Sequence, residues 1–448
     1  MKYNLRAHST ELTKTLKRAS IGKGKDSGYA IAITKKMVEG KFHKCTAMCG
    51  NGNMQATIGF CAQLLRSELT EDGKERVLKS PLEGTVFIYA SSLLRDAVET
   101  LGAMEDKILL IYDDEGKKLE VRNTKSFLPI PIMAASAKLE NPKNLKSIDA
   151  VVEKEELVAD FKYVNVALGR ATKSKFDYSY GLKPMVDGDK AVLHILGCDE
   201  KSASYQQVAL VRMSDNFKVQ CEGVAYAMLP ADKLGQIITE SEDDNIRFTF
   251  YYEESIAKQV NIRAGSDLYQ ILTKTTCMYP KGAKKIVDDA YAMFDASFQT
   301  DVGSLKSAFQ VTALGIAPNL VKSVMRISND GLMISDESGE RVTKLDTGIE
   351  INLDQPGKVV TINVVNDLIM SALSPFSNEK IRVQGSNEDT DGIVSLVSGK
   401  KDVHIVIFPV KGRVKVDEVV EDKVEDKEDE DEVVITSDEG TEGLGEEE

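Results

Sequence analysis

Apolar residues spaced three or four apart recur at three distant places in the chain. Residues 11–21 carry Leu12 and Leu16, residues 155–170 carry Leu157, Phe161, Val164 and Leu168, and residues 302–316 carry Leu305, Phe309, Thr312 and Ile316. That spacing puts the apolar side chains on one helix face, so each segment predicts a helix resting on a core. A second helical pattern recurs over residues 89–101 (Leu93, Leu94, Ala97, Val98, Leu101), 230–241 (Leu234, Ile237, Ile238) and 364–376 (Val365, Leu368, Ile369, Ala372, Leu373). Pro230 falls at the expected first turn of the middle copy, where its fixed φ and missing N–H do no harm. Asn363 precedes the third copy as a candidate cap.

Between and after these segments the period changes to that of strands. Residues 107–112 and 119–122, then 245–252 and 259–263, then 380–384, 392–397 and 403–410 read as strands joined by polar turns. The order helix, strands, helix, strand meander therefore occurs three times, which predicts an α+β fold of three similar domains, each with two helices on antiparallel sheet. The expected domains are 1–135, 148–280 and 291–412, separated by connectors at 135–147 and 281–290.

Charge changes the picture only once it is located. The chain of 448 residues has a formal net charge of −14, but residues 413–448 hold 17 Asp/Glu against 4 Lys/Arg, leaving 54 acids and 53 bases before them. A near-neutral body permits separate positive and negative faces. The tail has few aliphatic residues and repels itself, so it is expected to stay disordered. No apolar run reaches the ~18 residues of a membrane helix, and the first twenty residues have no apolar signal core, which predicts a cytoplasmic protein without membrane attachment. The six Cys (45, 49, 61, 198, 221, 277) are scattered, and reduced thiols packed as small hydrophobes are expected. Cys45 and Cys49 beside His43 make a weak metal pattern without a second pair, and no metal or cofactor is expected. Residues 22–28 lack the end of a phosphate loop and read as the finish of the first helix. The four His (8, 43, 194, 404) show no local triad.

The two ends of the body resemble a known family. The opening MKYNLRAHSTELTKTLKRAS and the stretch TINVVNDLIMSALSPFSNEKIRVQGSNEDTDGIVSLVSGKKDVHIVIFPVK are similar to the first strand and helix, and to the end of the third domain, of the bacterial DNA polymerase sliding clamp, the β subunit of polymerase III. The middle third matches in layout, with GCDEKSASY (197–205) where that family commonly has a Thr-Asp-Gly-His-Arg-Leu-like stretch; residues 69–79 and the acidic tail are additions.

The resemblance implies a head-to-tail homodimer of six domains, with helices lining a hole around duplex DNA and sheets outside, and no enzymatic activity. Positive residues on and after the first helix of each repeat are then the candidate phosphate contacts: Lys14, Lys17, Arg18, Lys23 and Lys25; Lys162, Arg170, Lys173 and Lys175; Lys306 and Lys322. Tyr178 and Tyr180 fall where the family carries an aromatic loop that touches DNA, with core packing the other reading. The implied partners are a replicative polymerase and a clamp loader. Their peptides would enter a pocket formed by Tyr180, Leu182, Tyr205, Pro230, Leu234, Val406, Phe408, Pro409, Val410 and Lys411, with Ser204 less firmly included. The rival reading is a ring- or shell-forming viral structural protein through which no DNA passes.

Overall fold

The structure is a computed structural model. It describes residues 2–24, 27–69, 75–78, 82, 84–134, 139–168, 179–199, 202–273, 287–289, 292, 294–315, 322–345, 349–377, 379–386, 394–398 and 403–407. Side chains 66–69 and 75–78 lie outside that description. So do Lys25, Arg170, Lys173, Lys175, Tyr178, the Phe408 to Lys411 segment and the acidic tail.

Three times a strand runs straight into an 11-residue helix. Lys2–His8 leads into α1 (Ser9–Ala19), Lys146–Glu153 into α3 (Lys154–Val164), and Ala296–Asp301 into α6 (Val302–Thr312). The residue before each helix is extended, with φ between −65 and −72° and ψ between 130 and 136°. A second strand-to-helix step also occurs in each repeat: Val86–Ala90 before α2 (Leu93–Gly102), Ala227–Pro230 before α5 (Ala231–Glu240), and Val360–Val365 before α7 (Asn366–Leu373). The middle repeat adds one short helix, α4 (Phe217–Cys221).

Several expectations shift here. Asn363 is no cap: it lies inside the strand, opposite Val324, and Val365 precedes the helix. Pro230 ends its strand one residue before α5 rather than opening the helix. Residues 165–167 and 20–22 tighten into 3-10 turns, so α3 stops well short of Arg170. The 20–22 turn ends on Gly22, where any other residue would set its Cβ 2.4 Å from the Cys49 carbonyl oxygen. Cys45 and Cys49 are buried thiols, pushed up to about 12 and about 11 chiefly by burial, in keeping with a packing role.

The sheets join the repeats. In the first, Met54–Leu69 is flanked by Lys2–His8 and by Phe42–Gly50, and its start pairs with the last strand of the second repeat, Asp267–Leu272, through Leu268 to Thr57 and Tyr269 to Ala56. The second repeat is joined to the third in the same way. Ser202–Ala209 pairs with His404–Ile407, Tyr205 opposite His404 and Ser204 opposite Ile405.

The two junctions are equivalent residue by residue. The fourth residue before each first helix heads a row of paired positions: Leu5, Leu110, Val121, Leu128 in the first repeat; Ala150, Phe248, Ile262, Tyr269 in the second; Phe298, Val383, Leu396, Ile405 in the third. On the other sheet of each repeat the matching rows are Ile31, Ala47, Ile58; Leu182, Ile195, Gln206; and Met325, Ile334, Thr343. Nearly all of these side chains are buried, which fixes the register because a slip of one residue would turn an apolar face to water. Pairing alternates inward and outward positions, so the register that buries Ile58 also puts Thr57 on the outer face of the sheet.

Candidate nucleic-acid interface and partner pocket

The basic face predicted on α1 is present, but it is answered by acids of the second repeat. Lys14 Nζ lies 3.5 Å from Glu242, Lys17 Nζ 2.7 Å from Glu240, and Arg18 3.2 Å from Asp267 and 4.0 Å from Glu242. Lys14 and Lys17 remain mostly exposed, and such pairs are worth little individually. Arg18 and Asp267 are different, with side chains 14% and 3% exposed. Burial raises the Asp267 carboxyl above its ordinary range, and the Arg18 charge works against that rise.

The other candidates spread out. Lys162 is exposed on α3 and Lys23 half-buried after α1. Lys306 donates to the Phe376 carbonyl at 3.2 Å, and Lys322 sits on a strand, 3.1 Å from Glu337. Helices α2, α3, α5 and α7 each carry more acids than bases. The positive charge of the helices is thus concentrated on α1, where neighbouring acids offset it.

The pocket candidates divide into two groups. Tyr180, Leu182 and Leu234 are interior residues of the middle repeat; the Tyr180 ring stands 4.4 Å from that of Phe161, and its hydroxyl bonds to Asn165. Tyr205 and Val406 lie on the seam with the third repeat, where Tyr205 stacks on His404 at 4.2 Å and its hydroxyl donates to Asp288. Ser204 is buried beside them and donates to the Tyr163 carbonyl at 3.0 Å. Pro230 is half-buried at the start of α5. On the helix side the same seam is closed by Tyr163 against Phe376, 5.4 Å apart. One junction is therefore braced by ions, the other by rings.

The sequence pattern carries no signal for two strands that stand at the ends of their sheets. Phe127–Ile130, equivalent to Asp267–Leu272, pairs on one side with Lys118–Arg122, and Val342–Leu345, equivalent to Ser202–Ala209, pairs on one side with Gly331–Asp336. Among the described residues the outer edges of both pair with no strand. They expose Phe127 (59%), Leu128 (39%) and Val342 (46%).

No family profile and no curated protein matches the sequence. Solved structures do. The β sliding clamp of Caulobacter crescentus superposes with a TM-score of 0.66 at 11% identity, covering 92% of this chain and 100% of the clamp. The DNA polymerase III β subunit of Thermotoga maritima gives 0.65 at 12% and the sliding clamp of Bacillus subtilis 0.65 at 13%, each over 92% of this chain and all of the other. With the strand-to-helix repeat, the two seams and that coverage together, this divergent chain has the α+β fold of the bacterial DNA polymerase III β sliding clamps.

Proposed function

We propose that the chain is a DNA polymerase processivity factor, a cytoplasmic clamp that closes as a homodimer around duplex DNA and catalyses nothing itself. The three repeats, 1–135, 148–280 and 291–412, are its domains. The observation that carries this reading is the residue-level equivalence of the two seams together with the two matching open edges. The shared register sets Val342 opposite Phe127, and Arg341 opposite Leu128, of a second copy. Such a contact would cover the most exposed apolar residues of both edges, and a heterologous contact of this kind closes when the rotation per unit divides a full turn.

DNA would be held by enclosure more than by charge. Few phosphate contacts suit a protein that must slide, and the balance of acids and bases on the helices supports this. Lys14, Lys17, Lys23 and Lys162 are the proposed sliding contacts. An ATP-driven loader would open one seam. The proposed contacts for polymerase peptides are Pro230 and the residues Phe408 to Lys411, with Tyr205 and Val406 on the seam between the second and third repeats and Tyr180, Leu182 and Leu234 in the core of the middle repeat.

The test needs no loader. Phe127→Cys and Val342→Cys in one chain place a thiol pair across the proposed third seam. Opposed residues of antiparallel strands have Cα atoms ~4.5–5.5 Å apart, within disulfide reach. Oxidation in the presence of nicked plasmid should give covalent dimers that stay on the circle at high salt and leave when it is cut. Failure to cross-link, or equal loss from cut and uncut DNA, would overturn the proposal.

A further inference from the structure

The outer face of the first seam holds a cavity of about 420 Å³, within the size range of ligand sites. Its walls include Ala32, Thr46, Met48 and Thr57 of the first repeat and Leu268 of the second, with Phe87 at the rim. Its floor is an amide ladder, in which Gln55 Nε2 donates to Gln270 at 3.4 Å and Gln270 Nε2 to Asn141 at 3.1 Å. The connector closes one side with Leu139, whose N–H donates to Gln55 at 2.9 Å, and Glu140.

The second seam shows what belongs in such a place. By register, Ala32 and Thr46 correspond to Lys183 and His194; Thr57 and Leu268 correspond to Tyr205 and His404. There the space is filled from within. Tyr205 lies between His194 (4.6 Å) and His404 (4.2 Å), Val287 of the connector packs beside it, and Asp288 accepts its hydroxyl hydrogen bond. At the first seam the apolar connector residue and the carboxylate after it are again present, as Leu139 and Glu140, but threonine replaces the tyrosine.

We propose that this cavity receives the tyrosine side chain of a partner polypeptide, its ring between Met48, Phe87 and Leu268 and its hydroxyl donating to Glu140. The occupant of the equivalent space is a residue within a chain, so a peptide is its source; a free amino acid would also bring a carboxylate toward Glu140.

Methyl NMR on Met48 and Ala32, with N-acetyl-tyrosinamide as the probe, tests this. Saturable shifts in the millimolar range are expected, several-fold weaker for N-acetyl-phenylalaninamide and for Glu140→Gln. They should be absent in Thr57→Tyr, which fills the space as Tyr205 fills the other. Ala32→Lys, copying Lys183, blocks the cavity independently should Thr57→Tyr fold poorly. No saturable shift, unaltered binding to both filled variants, or tighter binding of uncapped tyrosine would overturn the proposal. The plasmid cross-linking of Thr57→Tyr should be unchanged, which separates failure here from failure of the clamp reading.

Discussion

Replacing Arg18 with methionine keeps most of a packed side chain and removes the charge facing Asp267. The groups stand 3.2 Å apart, which at an effective dielectric of 20 is an attraction of about 5 kcal/mol. Desolvation of both groups offsets part of it, so Arg18→Met is expected to cost roughly 3 kcal/mol near neutral pH, as when a buried pair loses one partner. The pH dependence follows from Asp267. Burial already raises its carboxyl, and Arg18 is the chief influence holding it down, so in the variant it rises further. A carboxyl whose folded value lies above its unfolded value destabilises the fold when ionised, and that penalty is relieved as pH falls through the folded value. The cost of Arg18→Met should therefore shrink between a neutral and an acidic pH in urea unfolding, and Asp267→Asn should rescue most of it at the higher pH. An equal cost at both pH values, or no rescue, would refute the reasoning.

Three further outcomes are expected. Phe127→Asp puts a charge on the open edge, where Phe127 is 59% exposed, and should weaken self-association about tenfold to a hundredfold in sedimentation without altering the thermal midpoint. Asn366 donates to the Phe309 carbonyl at 2.9 Å and to Thr312 at 3.0 Å, and Ser323 donates to it at 2.5 Å; Asn366→Ala strands these buried groups and should cost about 2–3 kcal/mol of unfolding free energy. Gly22→Ala forces a methyl against the Cys49 carbonyl, and a loss of at least ~1–3 kcal/mol should appear as a lowered thermal midpoint.

The helices were legible because each lies on a core and repeats its apolar residues at helical spacing. Leu12, Leu16, Leu157, Phe161, Leu305 and Phe309 are all buried as that spacing requires. Helix ends were less so, since Ala167 and Leu168 continue the apolar spacing through a 3-10 turn that periodicity alone cannot tell from α-helix. Asn363 misled for a related reason: the strand runs directly into the helix with no side-chain cap, and the buried Asn366 at the helix start bonds to Phe309 and Thr312 of α6 instead. For the candidate pocket, Leu182 and Leu234 read alike as core or as pocket wall, because either place demands an apolar side chain. The seams were invisible to a local reading. Gln55 and Gln270 meet across 215 positions of sequence, and nothing in either strand's own alternation names its partner.

The open edges pose a problem that the same register helps to solve. A strand edge with exposed Phe, Leu and Val invites pairing with any extended chain, and in the proposed dimer each subunit would present two such edges until it meets its twin. Pro129 lies within Phe127–Ile130 and cannot donate a ladder hydrogen bond, so the edge supports only a short pairing in a register that spares that position. The facing strand Val342–Leu345 is preceded by Glu340 and carries Lys344, so a partner slipped by two residues, which keeps the same face, would set Glu340 or Lys344 against Phe127 in place of Val342. Both devices penalise most alternatives while leaving Val342 free to face Phe127. An edge limited in this way suits the proposed partner, another copy of the chain, whose strand repeats the register of the internal seams.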